Sequence, residues 1–131
     1  MSAGSGDHPR VVMLGDDLLF GSKLEHAIVQ AGCEAVRVPD DTQLAGPLAG
    51  AVLLTIDLAD RPARARELVE ELRESGALAG VRTLGYYQHV DDDTRRLALA
   101  AGFDLVVPRS RLFREGAELI RGLLAGEQTA E

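Results

Sequence analysis

Short apolar runs alternate along the chain with longer segments whose apolar residues recur every three or four positions. Val11-Val12-Met13-Leu14 is near-continuously apolar, as expected of a strand buried on both faces. From Phe20 the period changes: Phe20, Leu24, Ala27, Ile28 and Ala31 fall on one helical stripe, closed by Gly32. Val36 and Val38 predict a second, half-exposed strand that stops at Pro39. Asp40 or Asp41 can then cap a short helix through Leu44, which Gly46-Pro47 should end early. The run from Ala51 to Ile56 is the most apolar in the chain and predicts a central strand. Asp60 can cap the next helix before Pro62, with Ala65, Leu68, Val69 and Leu72 as its inner face and Gly76 as its stop. Val81 to Tyr87 predicts a fourth strand, in which Gly85 allows a close neighbour. Asp91-Asp92-Asp93 suits the start of a helix, where the dipole favours anions, and Gly102 suits its end. Leu105-Val106-Val107 predicts a fifth strand. Ser110 can cap a last helix with Phe113, Gly116, Leu119, Ile120, Leu123 and Leu124 turned inward.

Strict alternation of strand and helix calls for parallel strands, right-handed crossovers and helices on both faces. The five units lack a Gly-rich dinucleotide fingerprint. That favours a doubly wound α/β sheet of the flavodoxin-like type, strand order 2-1-3-4-5, over a Rossmann sheet. The expected organisation is one domain over residues 10–126, with flexible tails at 1–9 and 127–131. A chain of 131 residues can bury one full core and leaves no room for a second.

Composition narrows the partners more than the fold. A net charge of −7 argues against a general grip on nucleic acid, which needs clustered Lys and Arg. No apolar run approaches the roughly 20 residues of a membrane span. The opening segment to Pro9 is polar and lacks a signal-peptide core, so a cytoplasmic protein is expected. The one cysteine, Cys33, reads as a small buried packing residue.

In an open doubly wound sheet, the usable crevice lies beyond the carboxyl ends of the strands. Asp16 and Asp17 follow the first strand, and Asp57, with Asp60 close behind, follows the third. The fourth ends at Tyr86, Tyr87, Gln88 and His89, and Pro108, Arg109 and Ser110 follow the fifth. Clustered carboxylates repel one another unless they are solvated or a hard cation neutralises them, and an all-oxygen site suits Mg²⁺. Any single aspartate reads better as a helix cap, Asp16 or Asp17 for the first helix and Asp60 for the third, whereas the pair together with Asp57 at one crevice points to a site. His89 reads best as a surface residue, and neither His8 nor His26 has a companion that suggests a metal. Tyr86 and Tyr87 point to opposite faces of a strand, so only one of them can reach the crevice.

The residues from Arg10 to Gly126 resemble the receiver domain of bacterial response regulators. Asp16-Asp17 stand where that family places two acidic residues, and Asp57 stands at its phosphoacceptor, with Thr55 as the position in an alternative register. Ala100-Ala101-Gly102-Phe103-Asp104 is similar to the family's Ala-Gly-Ala-Asp turn. The resemblance implies phosphoryl transfer from a histidine kinase to Asp57, with Mg²⁺ held by Asp16, Asp17 and Asp57. The family's Ser or Thr at the end of the fourth strand is replaced by Tyr87, or by Tyr86 if the register slips by one. Arg109 stands for its Lys, with Pro108 before it rather than a proline after it.

Three functions follow from this pattern. The first is a degenerate receiver that is not an enzyme and acts by protein–protein contact. The second is a working phosphoacceptor at Asp57. The third is a small-ligand or enzymatic site built on Tyr87, His89 and Arg109. The resemblance implies a signalling partner, a histidine kinase or another protein, at the fourth helix, fifth strand and fifth helix. That face spans Thr94 to Gly122, with Arg95, Arg96, Arg111 and Arg114 as exposed candidates, and it could also form a homodimer.

Overall fold

The computed structural model describes residues 8–59, 61–88 and 92–126. Strands β1 (Arg10–Leu14), β2 (Glu34–Val38), β3 (Leu53–Asp57), β4 (Arg82–Tyr87) and β5 (Leu105–Pro108) form one parallel sheet of order β2-β1-β3-β4-β5. Between them run helices α1 (Leu18–Gln30), α2 (Ala45–Leu48), α3 (Pro62–Ser75), α4 (Asp92–Ala101) and α5 (Arg109–Leu124). The predicted order and alternation are those observed. Residues 1–7 of the expected tail at 1–9, the tail at 127–131, the Asp60 cap, His89 and Asp91 lie outside the described residues.

The strands are apolar on both faces because both are covered. Val11, Met13, Leu84 and Val107 belong to a core layer with Phe20, Leu24 and Ile28 of α1 and Leu112, Ile120 and Leu123 of α5. Val12, Leu54, Ile56 and Val106 belong to the opposite layer with Leu68 and Val69 of α3 and Ala98 of α4. Cys33 is free and buried, and burial raises its thiol pKa. Gly85 permits close packing at the centre: a Cβ there would lie 2.9 Å from Leu58 Cδ1 and 3.1 Å from Phe103.

The structure corrects the sequence reading in three places. Gly46-Pro47 does not end the short helix; a 3-10 turn, Asp41–Gln43, capped by Asp40, precedes a helical turn that contains both residues. Pro47 is tolerated there because first-turn N–H groups have no intrahelical partner. Ser110 is not the cap of α5, which begins at Arg109 with Pro108, two residues earlier, in the cap position. Phe113 is 54% exposed, and Leu112 takes the inward place. Starting the helix at Arg109 is what aims that side chain at the crevice.

Candidate functional site

β1 ends at Leu14, and Gly15 turns the chain with φ 156°, a conformation that favours glycine. Asp17 then caps α1: its Oδ1 accepts from the backbone N–H of Phe20 at 3.0 Å. Its neighbour Asp16 is exposed. Asp57 is the last residue of β3 and pairs in register with Tyr86 of β4. Its Oδ1 accepts from Ala59 N at 2.9 Å. Thr55, two residues earlier, is fully buried, so Asp57 is the residue that reaches the crevice.

Arg109 enters from the start of α5 and spans both carboxylates. Nη2 donates to Asp57 Oδ2 at 2.8 Å, and Nη1 lies 3.1 Å from Asp17 Oδ2. The guanidinium also stands over two aromatic rings, 4.6 Å from the centroid of Phe20 and 5.8 Å from that of Tyr86. The two rings are themselves 4.8 Å apart. Such contacts favour the flat, delocalised guanidinium over a compact ammonium. Arg109 Nε is buried and has no hydrogen-bond partner among the described residues.

The electrostatics follow from these contacts. The Phe20 N–H, aided by Arg109 and opposed by burial, holds the Asp17 carboxyl below its ordinary value. Burial alone would lower the pKa of Arg109, but Asp57 and Asp17 outweigh it and raise that pKa further. Burial, reinforced by the charge of Asp57, keeps the Tyr86 phenol protonated well beyond its usual range.

Of the two tyrosines, Tyr86 faces the crevice. Its hydroxyl and Asp57 Cβ each lie 3.6 Å from where a Cβ on Gly15 would stand. Strand alternation turns Tyr87, the expected hydroxyl-position residue, into the other core layer with Leu58, Ala98 and Phe103. The β3–β4 register, which sets Asp57 opposite Tyr86, chooses between them, and the sequence pattern alone does not display it. The part played by Phe20 was missed, although its place three residues after the Asp17 cap puts it at the crevice end of α1. His89 lies outside the described residues.

The expected Mg²⁺ set of Asp16, Asp17 and Asp57 does not fit this arrangement. Among the described residues, no three His, Cys, Asp or Glu side chains are grouped to hold a metal ion. Both oxygens of Asp17 and both of Asp57 already accept from an N–H donor. A divalent ion roughly 4 Å from the guanidinium would be repelled by about 8 kcal/mol at an effective dielectric of about 20. Beside the pair lies an open cavity of about 300 Å³, reached by Asp16, Asp57, Arg61 and Arg64.

No family model and no curated protein matches the sequence. Solved structures do match. A response regulator from Thermotoga maritima superposes with a TM-score of 0.78 at 14% identity, over 90% of this chain and 98% of that one. The fold is that of receiver domains. The receiver domain of the putative response regulator NarL from Mycobacterium tuberculosis gives 0.77 at 16% identity, covering 92% of this chain and 99% of its own. A putative pilus assembly-related protein from Burkholderia pseudomallei gives 0.74 at 20% identity, covering 97% and 95%. No helix among the described residues is long and apolar enough to cross a membrane.

Proposed function

We propose that this chain is a receiver-type signalling domain that works by protein–protein contact and not by phosphoryl transfer to Asp57. The observation that carries the reading is the Arg109 bridge, which engages Asp57 and Asp17 together. Tyr86 supports it from the other side, because a bulky ring that stacks on Phe20 stands where a short hydroxyl would follow a phosphoryl group. Solved receiver domains of the same fold make signalling the natural setting.

The contact face in this reading is α4, β5 and α5, from Thr94 to Gly122. It presents Leu97, which is 39% exposed, and the exposed Arg96 and Arg114. Arg95 and Arg111 are half-buried and contribute less to that surface. A histidine kinase, another signalling protein or a second copy of the chain is the partner class.

The test is intact mass after incubation with Mg²⁺ and a small phosphodonor, with Asp57→Asn beside the wild type. No adduct on folded protein is the expected result. An adduct that disappears in Asp57→Asn would overturn the reading and establish the phosphoacceptor instead. The contact half is tested by Leu97→Asp, which should abolish retention of a partner in a native pull-down without lowering the melting temperature.

A further inference from the structure

We infer that the Arg109 guanidinium is the resident cation of the crevice, holding the β1–β3 carboxylates closed against a divalent metal ion. The inference deepens the contact reading above and rests on it, because it gives the reason that Asp57 would not accept a phosphoryl group.

Four features of the geometry support it. The guanidinium lies between Asp17 Oδ2 and Asp57 Oδ2, so one positive charge is shared between two carboxylates from different elements. The opposite oxygen of each carboxylate is held by the backbone, by Phe20 N and Ala59 N, so neither can turn toward an ion without losing a bond. The cation is itself largely enclosed, with 18% of its side chain exposed, and Phe20 and Tyr86 supply aromatic faces to it. Its Nε is buried with no hydrogen-bond partner among the described residues, so the two terminal nitrogens carry the interaction.

The chemistry distinguishes the two cations. Mg²⁺ needs about six oxygens in near-octahedral array at close range and keeps several as water. A guanidinium can engage two separate carboxylates through its two terminal nitrogens, and here Asp57 and Asp17 take them. Asp16, the third carboxylate that a metal would recruit, is exposed and outside the bridge. Removal of the positive charge should therefore turn a closed ion pair into an acidic cleft that takes a divalent ion.

The test is titration with MnCl₂, followed by the loss of the free-ion electron paramagnetic resonance signal, with no phosphodonor present. Wild type, Arg109→Ala and Arg109→Met are compared, each checked for folding by far-ultraviolet circular dichroism. Arg109→Met retains an apolar stem against the Phe20 and Tyr86 rings, so the test stands even where the alanine variant is poorly folded. The expected result is no saturable site in the wild type at millimolar Mn²⁺. A saturable site, at least about tenfold tighter than the millimolar limit set by the wild type, should appear in either variant, since the like charge is gone. Adding Asp57→Asn to the variant should remove it.

Saturable binding to wild type that Asp57→Asn abolishes would overturn the inference. So would a folded Arg109→Met that gains no site. Both outcomes are read from the cation alone, whereas the contact reading fails on a phosphoryl adduct or an intact partner interaction in Leu97→Asp. The two failures are therefore distinguishable.

Discussion

The carboxylate of Asp57 accepts a 2.8 Å hydrogen bond from the guanidinium of Arg109, 52 residues further along the chain. This bond joins the carboxyl end of β3 to the first residue of α5, and the second arm of the same guanidinium reaches the cap of α1. Three separately built elements thus meet at one cation. Both partners of the Asp57 arm are less than one-fifth exposed, with side-chain accessibilities of 18% and 16%. Removing one of them leaves a poorly solvated charge, the costly way to break an ion pair. Arg109→Met should lower unfolding free energy by about 2–3 kcal/mol, and adding Asp57→Asn should recover part of that loss. Urea unfolding of the two single variants and the double variant checks this. Strict additivity would mean that the contact carries no energy.

Acid should weaken the same corner through Asp17. Its carboxyl is held below the ordinary value of 3.8, first by the Phe20 N–H and then by Arg109. A depressed folded pKa means that the unfolded chain binds the proton more readily. The stabilisation is therefore complete above the ordinary value and fades as pH falls through the lower folded one. Asp17→Asn keeps a cap acceptor but removes the titration. The gap in melting temperature between wild type and Asp17→Asn should hold steady near neutrality and close below about pH 4. A gap that widened in acid would contradict the assignment.

The sheet was legible because period and punctuation agree in every unit. The run from Ala51 to Ile56 has the length and apolar content of a strand covered on both sides, and the stripe from Phe20 to Ala31 has the period of a helix. The site was half legible. Asp17 and Asp57 follow from the topology, since strand ends in this fold face one crevice. The bridge between them depends on where α5 begins, and a two-residue shift of its cap, from Ser110 to Pro108, decides it. Helix starts are the least determined feature of a sequence pattern. The turn before β5 shows the opposite case, where a motif had a mechanical cause that the pattern could not display. Asp104 Oδ2 accepts from Thr83 N at 2.8 Å and from Thr83 Oγ1 at 3.0 Å, and Arg73 reaches both Asp104 and the Gly102 carbonyl. That network stitches the start of β4 to the turn before β5.

Gly85→Ala tests the close packing at the centre of the sheet. The added methyl would stand 2.9 Å from Leu58 Cδ1 and 3.1 Å from two ring carbons of Phe103. Leu58 and Phe103 are 1% and 4% exposed, so neither has free space to retreat into. Overpacking of this kind costs about 1–3 kcal/mol. A thermal melt of Gly85→Ala should show the loss, and an unchanged melting temperature would mean that the two side chains repack without strain.

Tyr86 separates the work of a ring from the work of a hydroxyl. The ring is 4% exposed and lies 4.8 Å from Phe20 and 5.8 Å from the Arg109 guanidinium. Its hydroxyl, by contrast, makes no hydrogen bond among the described residues, although it lies beside Gly15 and Asp57. Tyr86→Phe should therefore change stability by less than about 0.5 kcal/mol, because no bonded partner is lost. Tyr86→Thr supplies the short hydroxyl of a phosphorylating receiver but empties the ring's volume, which should cost about 3 kcal/mol. Because Arg109 still bridges Asp57 and Asp17 in that variant, the threonine alone should not make Asp57 an acceptor. Intact mass after exposure to Mg²⁺ and a phosphodonor decides the point. An adduct in Tyr86→Thr with none in the wild type would show that the Tyr86 ring, and not the guanidinium, decides whether Asp57 accepts a phosphoryl group.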